Sequence, residues 1–436
     1  MKFLDNYFEI TKSGSTMYRE LVAGVVTFFS MSYILFVNPS ILAETGMDKS
    51  AQFTATAVAT IFGCLIMGIY ARLPFAIAPG MALNTFFAHT VCLSLGHTWQ
   101  FALTVVFVTG IIFFLLSLFN LRSLIASLIP KSLQLAFGPG IGLFIAFLGL
   151  QQAGIIEIHE NTISSFGNVT DPHVLLTCLG IVVMGVFFVK KVYIGMLLGV
   201  TLLTIISLLF GITEVGSFFS VPHSISGIAL QFDFSEILSY DFICLVLLLL
   251  STSIFDATGT FLGVSNTNEE LLDSTGSMKN SRKAFMADSL SAVFGAMAGT
   301  STTTAYIESS TGITVGGRTG VTSIVTAFCF IIALFSFPLL SAVPKSAVAA
   351  MLVFAGYNMF MSSSFKSINF NDYSESIPVF ITIIMLPLSH SIVEGISFGI
   401  LSYVLINCFS GNYKKLGVGT CILAAFFIGR YAIFKM

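Results

Sequence analysis

Two carboxylates stand inside stretches that otherwise read as membrane-spanning. Asp256 lies in ICLVLLLLSTSIFDATGTFLGV, a run with no other charge from Ile243 to Val264. Glu308 lies in GTSTTTAYIESSTGITVGG, a hydroxyl-rich stretch with no other charge before Arg318. An ionisable group at the bilayer centre costs at least ~2.5–3.5 kcal/mol, so its default reading is a substrate or proton site. Asp256 and Thr260 are four residues apart and share one side of a helix, beside the polar turn Ser251-Thr252-Ser253. The competing reading of Asp256 is a helix-end carboxylate reaching interfacial water or a neighbouring hydroxyl. For Glu308, followed directly by Ser309, it is a structural carboxylate holding the N–H groups of a broken helix.

Asn84 joins this set because its amide both donates and accepts, although a cap for a half-helix starting near Thr85 explains it equally well. Phe86 and Phe87 offer faces on which a planar ligand could stack, against the simpler role of packing in a chain with 45 phenylalanines. Arg318 reads as the cytoplasmic end of its segment. The candidate contacts are therefore Glu308, Asp256, Asn84, Phe86, Thr260 and Ser309, with Asp256 and Glu308 as proton carriers. Two acceptor carboxylates, an amide and aromatic rings suit a neutral planar ligand rich in N–H donors and do not suit an anion. Burial disfavours the charged form of a carboxylate, which makes proton coupling a natural expectation.

The elements that must position these residues are membrane helices. Of 436 residues, 56% are hydrophobic and 9% charged, with mean hydropathy +0.94; soluble domains carry about 25% charged residues. Roughly 20 residues per span allow about 12 to 15 spans. The net charge of −2, with no basic patch, argues against nucleic acid. Seven scattered cysteines and six isolated histidines offer no metal spacing and no disulfide framework, so no metal or cofactor is expected. No HExxH or GxSxG is present, which leaves an intramembrane enzyme as a remote alternative.

Spans are expected at 21–42, 53–70, a broken element 75–91, 101–119, 132–150, 174–189 and 194–210. A second series follows at 242–264, 284–298, a broken element 301–317, 321–337, 347–361, 377–388 and 392–409. Residues 418–434 read equally as an extra span or a surface helix. Phe3, Leu4, Tyr7, Phe8 and Ile10 could form one face of an interfacial helix, and a disordered tail is the alternative. With a cytoplasmic N-terminus, fifteen Lys and Arg fall inside and only Lys49 and Lys345 outside, leaving Arg430 and Lys435 in the tail.

The two interrupted segments, one broken at Pro79-Gly80 and the other by Gly299, Gly312, Gly316 and Gly317 around a Thr run, sit third in each seven-span half. Paired interruptions of this kind point to a binding site between inverted repeats. Freed backbone groups at membrane depth are tolerated only where protein or a polar cavity satisfies them, and half-helix N-termini add partial positive charge.

The stretches FFSMSYILFVNPSILAETGMD, IAPGMALNTFFAHTV, FDATGTFLGV and GTSTTTAYIESSTGITVGGRTG resemble signatures of the azaguanine-type purine permeases, within the xanthine/uracil permease superfamily. The resemblance runs from about Gly14 to Arg430. It implies an all-α polytopic membrane protein of about fourteen segments in two inverted seven-segment repeats, segments 3 and 10 each pairing a short strand with a half-helix. In this scheme 1–19 is a cytoplasmic segment, 20–211 the first repeat, 212–241 an extracytoplasmic loop, 242–410 the second repeat and 411–436 a tail. A core domain would take 20–120 and 242–338, and a gate domain 131–211 and 343–410.

The implied activity is proton-coupled import of a purine nucleobase, adenine or guanine/hypoxanthine, across the cytoplasmic membrane; a homodimer is compatible with it. By position, Asp256 matches an eighth-segment carboxylate that handles substrate or proton, Glu308 a tenth-segment glutamate that binds the base, and Asn84 a third-segment asparagine. Thr260 stands where uracil-type relatives carry histidine. Ser253 stands where some purine-branch members carry a second acid, which weakens a two-aspartate site. The alternative within transport is an anion exchanger of the same broken-helix architecture, against which the two carboxylates count.

Overall fold

The computed structural model describes residues 2–119, 130–159, 162–168, 170–190, 192, 195–213, 220–265, 269–272, 278–335, 343–361, 368–389 and 392–433. The expected span ends at 194, 337 and 434, the bases Arg122, Lys191, Lys366 and Lys435, and His390 lie outside them. Six described helices are long and apolar enough to cross a membrane: Met17–Ala43, Lys49–Ala71, Trp99–Leu118, Lys131–Gln152, Pro172–Val189 and Tyr240–Thr258. Shorter apolar helices supply further elements in the second half of the chain.

In chain order, α1 is Lys2–Phe8, α2 Met17–Met31, α3 Ile34–Ala43, α4 Lys49–Ile66, β1 Ile77–Pro79, α5 Met81–Thr85 and α6 Trp99–Leu118. Then come α7 Lys131–Gln152, β2 Ile156–His159, β3 Thr162–Phe166, α8 Pro172–Val189 and α9 Gly195–Leu209. The second half holds α10 Tyr240–Ser265, α11 Ser281–Ala298, β4 Thr303–Ala305, α12 Ser309–Val315 and α13 Gly320–Ala333. The chain continues through α14 Lys345–Phe360, α15 Tyr373–Leu388, α16 Ile392–Phe409 and α17 Val418–Ile433. Side chains start several of these helices: Thr16, Asp48, Thr98, Asp171, Thr319 and Asp372 each accept a first-turn N–H.

Helices α2–α6 pack with α10–α13, and α7–α9 pack with α14–α16. The two groups meet mainly through α7 against α10 and α5, α14 against α3, and α9 against α2. At the centre of the first group β1 pairs antiparallel with β4, Ile77 opposite Ala305, Ala78 opposite Thr304 and Pro79 opposite Thr303. Residue types explain the strands: Pro79 donates no N–H and β-branched threonines favour extended backbone. The ladder is lengthened by Gly80 N–H to Thr302 O at 3.0 Å and Tyr306 N–H to Ala76 O at 2.9 Å. Each strand leads into a helix that begins at the crossing, α5 after β1 and α12 after β4, and α5 runs on as a π-helical stretch, Phe86–Ser94. Gly299 and Gly316 adopt positive φ to end α11 and α12.

The surroundings of this crossing are polar and buried. Asn38 donates to Thr56 and Thr300 at 2.6 and 2.8 Å, Gln52 donates to Gly299 O at 2.6 Å, and Thr303 bonds Ser291 at 2.8 Å. The Gln52 bond satisfies a carbonyl just past the end of α11, and the others tie the polar side chains to one another.

Two features were not in the sequence reading. The outer segment 152–172, expected as loop within an all-α chain, contains the β2–β3 pairing. The 21–42 span is two helices, α2 and α3, meeting at Ser32-Tyr33, with Pro39 inside the second. Residues 418–433 form a helix that packs on α16, where Tyr431 meets Glu394 and Ser397. At the other terminus, Phe8 and Ile10 pack on Val321, and the Arg72 guanidinium lies 4.0 Å over the Tyr7 ring.

The end of the α4 rod and the start of α13 touch backbone to backbone. A Cβ on Gly320 would stand 2.0 Å from Gly68 O, and one on Gly68 would stand 2.6 Å from Gly320 O. Close approach of this kind is how membrane helices gain packing energy. Gly320→Val is expected to lower the thermal midpoint of the purified protein, since overpacking costs about 1–3 kcal/mol or more. Gly429→Ala, whose Cβ would meet nothing within 4 Å, should leave it unchanged in the same melting assay.

Candidate functional site

Glu308 stands immediately before α12 but does not cap it, for its side chain makes no hydrogen bond to the first turn. Its Oε1 instead accepts the Tyr33 hydroxyl at 2.6 Å, across 275 residues of sequence. Tyr33 stands at the junction of α2 and α3, in αR backbone. The Tyr306 ring centroid lies 6.5 Å from that of Tyr33, and its hydroxyl donates to Pro79 O at 2.5 Å. Glu308 is only partly buried, beside these two rings.

Asp256, on α10, faces the Thr304 side chain of β4 and is within electrostatic reach of Glu308 and Tyr306. Thr260 lies one turn further along the same helix, buried. The structure thus gathers Asp256, Glu308 and the strand pair into one region.

Asn84 is wholly buried within α5 and is not its cap. Its Oδ1 accepts the Ser301 hydroxyl, while Nδ2 finds no partner; turning the amide over would strand Oδ1 instead. An unpaired buried polar atom costs about 1–3 kcal/mol and calls for an explanation. A ligand with both acceptors and donors would supply one.

Ser309 is buried, and its Oγ accepts the Ala76 N–H at 3.0 Å, which ties the two interrupted segments together. Phe86 is buried in the main apolar cluster. Arg318 is turned away from the crossing: it donates to Ile313 O and Gly317 O at the end of α12 and pairs with Glu270 at 2.6 Å.

The sequence reading missed Asp288 and Tyr33. Asp288 lies on α11, is 1% exposed, faces the Ala305 N–H and is within electrostatic reach of Asp256. Its Oδ1 has no partner. Glu20 shows the contrast. It is equally buried but fully engaged, accepting Arg318 N–H at 2.9 Å, Thr319 N–H at 3.3 Å and the Thr322 hydroxyl at 2.6 Å. Glu20 is a fastening for α13; Asp288 has unspent capacity beside the site. The signal that would have found it is the one that found Asp256, a lone acid in an expected span.

Known proteins bear on this arrangement at two levels. The transmembrane domain of the cyanobacterial bicarbonate transporter BicA superposes with a TM-score of 0.67 over 87% of this chain and 97% of that one, at 16% identity, which speaks to the fold alone. The adenine permease AdeQ of Escherichia coli (strain K12) is 38% identical, covering 97% of this chain and 95% of its own. The guanine/hypoxanthine permease PbuG of Bacillus subtilis (strain 168) is also 38% identical, covering 95% and 96% respectively. Residues 18–398 match the Permease family of xanthine and uracil permeases. A multi-pass helical membrane protein with these relatives and this match belongs to the xanthine/uracil permease family, in its azaguanine-type purine branch.

Proposed function

We propose that the chain imports a purine nucleobase, adenine or guanine/hypoxanthine, across the cytoplasmic membrane together with a proton. The observation that carries this reading is the strand crossing, where Glu308 and Asp256 offer acceptors beside a buried amide with an unpaired atom. Purines present N–H donors and ring acceptors on adjoining edges, which such a set can hold, and the names of the relatives agree. Glu308, flanked by Tyr33 and Tyr306, grips the base; Asp256, with Asp288 behind it, carries the proton. Thr260 and Ser309 support that set, and Phe86 closes its apolar side.

The wider scheme is fourteen segments in two inverted repeats, with the N-terminus cytoplasmic. The helix group α2–α6 with α10–α13 serves as the core (20–120, 242–338), and α7–α9 with α14–α16 as the gate (131–211, 343–410). Sparse contact between the groups suits a motion of one against the other. The charge pattern speaks against anion exchange, for the groups around Glu308 and Asp256 are hydroxyls, phenols and another carboxylate.

Uptake of labelled adenine, guanine, hypoxanthine and uracil in a transport-deficient host tests the reading. One or more purines should accumulate, uracil should not, and a protonophore should abolish accumulation. A surface-expressed chain that takes up no purine would sink the substrate; accumulation indifferent to the protonophore would sink the coupling.

A further inference from the structure

The orientation proposed above leaves two of nineteen basic residues on the outer side, Lys49 and Lys345. Nearly 300 positions apart, they line one cavity of about 510 Å³ between the two helix groups. Phe36 and Phe53 form its apolar wall, and Glu44 and Gln152 share its rim with the lysines. That size, with a few polar groups over an apolar floor, is characteristic of small-molecule sites. None of the residues at the strand crossing lines it, yet the two are joined along α3. Tyr33, Phe36 and Ser40 fall at i, i+3 and i+7 and so follow one helix face, from Glu308 at one end to the cavity wall at the other.

The chemistry of the rim is the complement of the inner site. Glu44 accepts from Gln152 at 3.4 Å, lies 3.5 Å from His89 Nε2 and feels the charge of Lys345. What distinguishes this lining from the inner site is its two ammonium groups, which only donate. They fit a planar heterocycle presented by its acceptor edge, whereas Glu308 and Asp256 fit the donor edge. His89 belongs to the π-helical continuation of α5, the helix of Asn84, so the rim also touches the element that carries the inner amide.

We propose that this cavity is a second, outer binding site for the nucleobase, in which Lys49 and Lys345 hold its acceptor edge before it passes along α3 to Glu308. The proposal rests on the purine-transport reading, and its test separates the two. Ser40→Cys is placed in a chain freed of its seven native cysteines and shown to retain uptake, then labelled from outside with a membrane-impermeant thiol reagent. The purine that the unaltered chain accumulates should slow labelling several-fold, and should do so equally in the Glu308→Gln background. Neutralising both lysines (Lys49→Gln with Lys345→Gln) should remove that protection. In the chain with its native cysteines, the same pair should raise KM about tenfold while leaving the protonophore-sensitive accumulation ratio unchanged.

Protection that vanishes with Glu308→Gln alone would show that the base acts only from the inner site and would overturn the outer one. So would protection that survives loss of both lysines, failure of the reagent to reach Ser40→Cys from outside, or an unchanged KM. Absence of purine uptake by the unaltered chain would instead overturn the transport reading on which all of this stands.

Discussion

Glu308→Gln is expected to reduce purine uptake by about 100-fold or more while the protein remains in the membrane. The substitution preserves size and leaves an oxygen able to accept the Tyr33 hydroxyl, so the local packing has no reason to change. What disappears is the negative charge and with it the charge-assisted hydrogen bonds to a base. Hydrogen bonds to charged groups contribute about 1.5–3 kcal/mol each, and two of them correspond to roughly 100-fold or more. Because Glu308 does not cap α12, loss of its charge should not melt the half-helix, which separates this expectation from a folding defect. Tyr33→Phe removes only the donor that orients Glu308 and should cost less, about tenfold, the lower end for one such bond. Uptake normalised to surface expression measures both. High-affinity uptake by Glu308→Gln would remove Glu308 from the site.

The helical membrane character was legible in composition, and the positions of Asp256 and Glu308 in the rarity of charge around them. The strand positions are written in residue type: Pro79 has no N–H to give a helix, and Thr303 and Thr304 are β-branched. Other features depend on distance across the fold. Tyr33 is one of twelve tyrosines, and nothing local marks the one that reaches Glu308 from 275 residues away. The α2–α3 junction that holds it contains no glycine or proline, and Pro39 stands further along α3. Ser309 was marked for its neighbour, but its oxygen is used by Ala76, a pairing set only when the two strands meet. Lys49 and Lys345 appeared in the sequence as exceptions to a charge rule; only the packing of α4 near α14 makes them one feature. Asp288 was overlooked for a different reason. Its span is rich in alanine and serine, so the acid stands out less than Asp256 does after four leucines.

Asp288→Asn is the test of that overlooked residue, and the chemistry of the substitution separates a structural role from a coupling role. If Asp288 merely anchors β4 by facing the Ala305 N–H, asparagine can do the same, since its carbonyl oxygen still accepts. Transport would then be untouched. If its charge matters, the change must show, because Asp288 and Asp256 lie close enough to feel one another in a dry interior. Like charges at short range repel by a few kcal/mol at an effective dielectric of about 20, so a proton shared by the pair is worth a large change in its energy. Removing one acid leaves the other without a partner to exchange with. Accumulation driven by an imposed pH gradient in vesicles should therefore fall at least tenfold. Exchange of labelled for unlabelled base, which needs no net proton movement, should persist at a substantial rate because Glu308 is intact. Equal loss of both activities with normal thermal stability would place Asp288 in base binding. Retention of both would reduce it to an anchor for the strand.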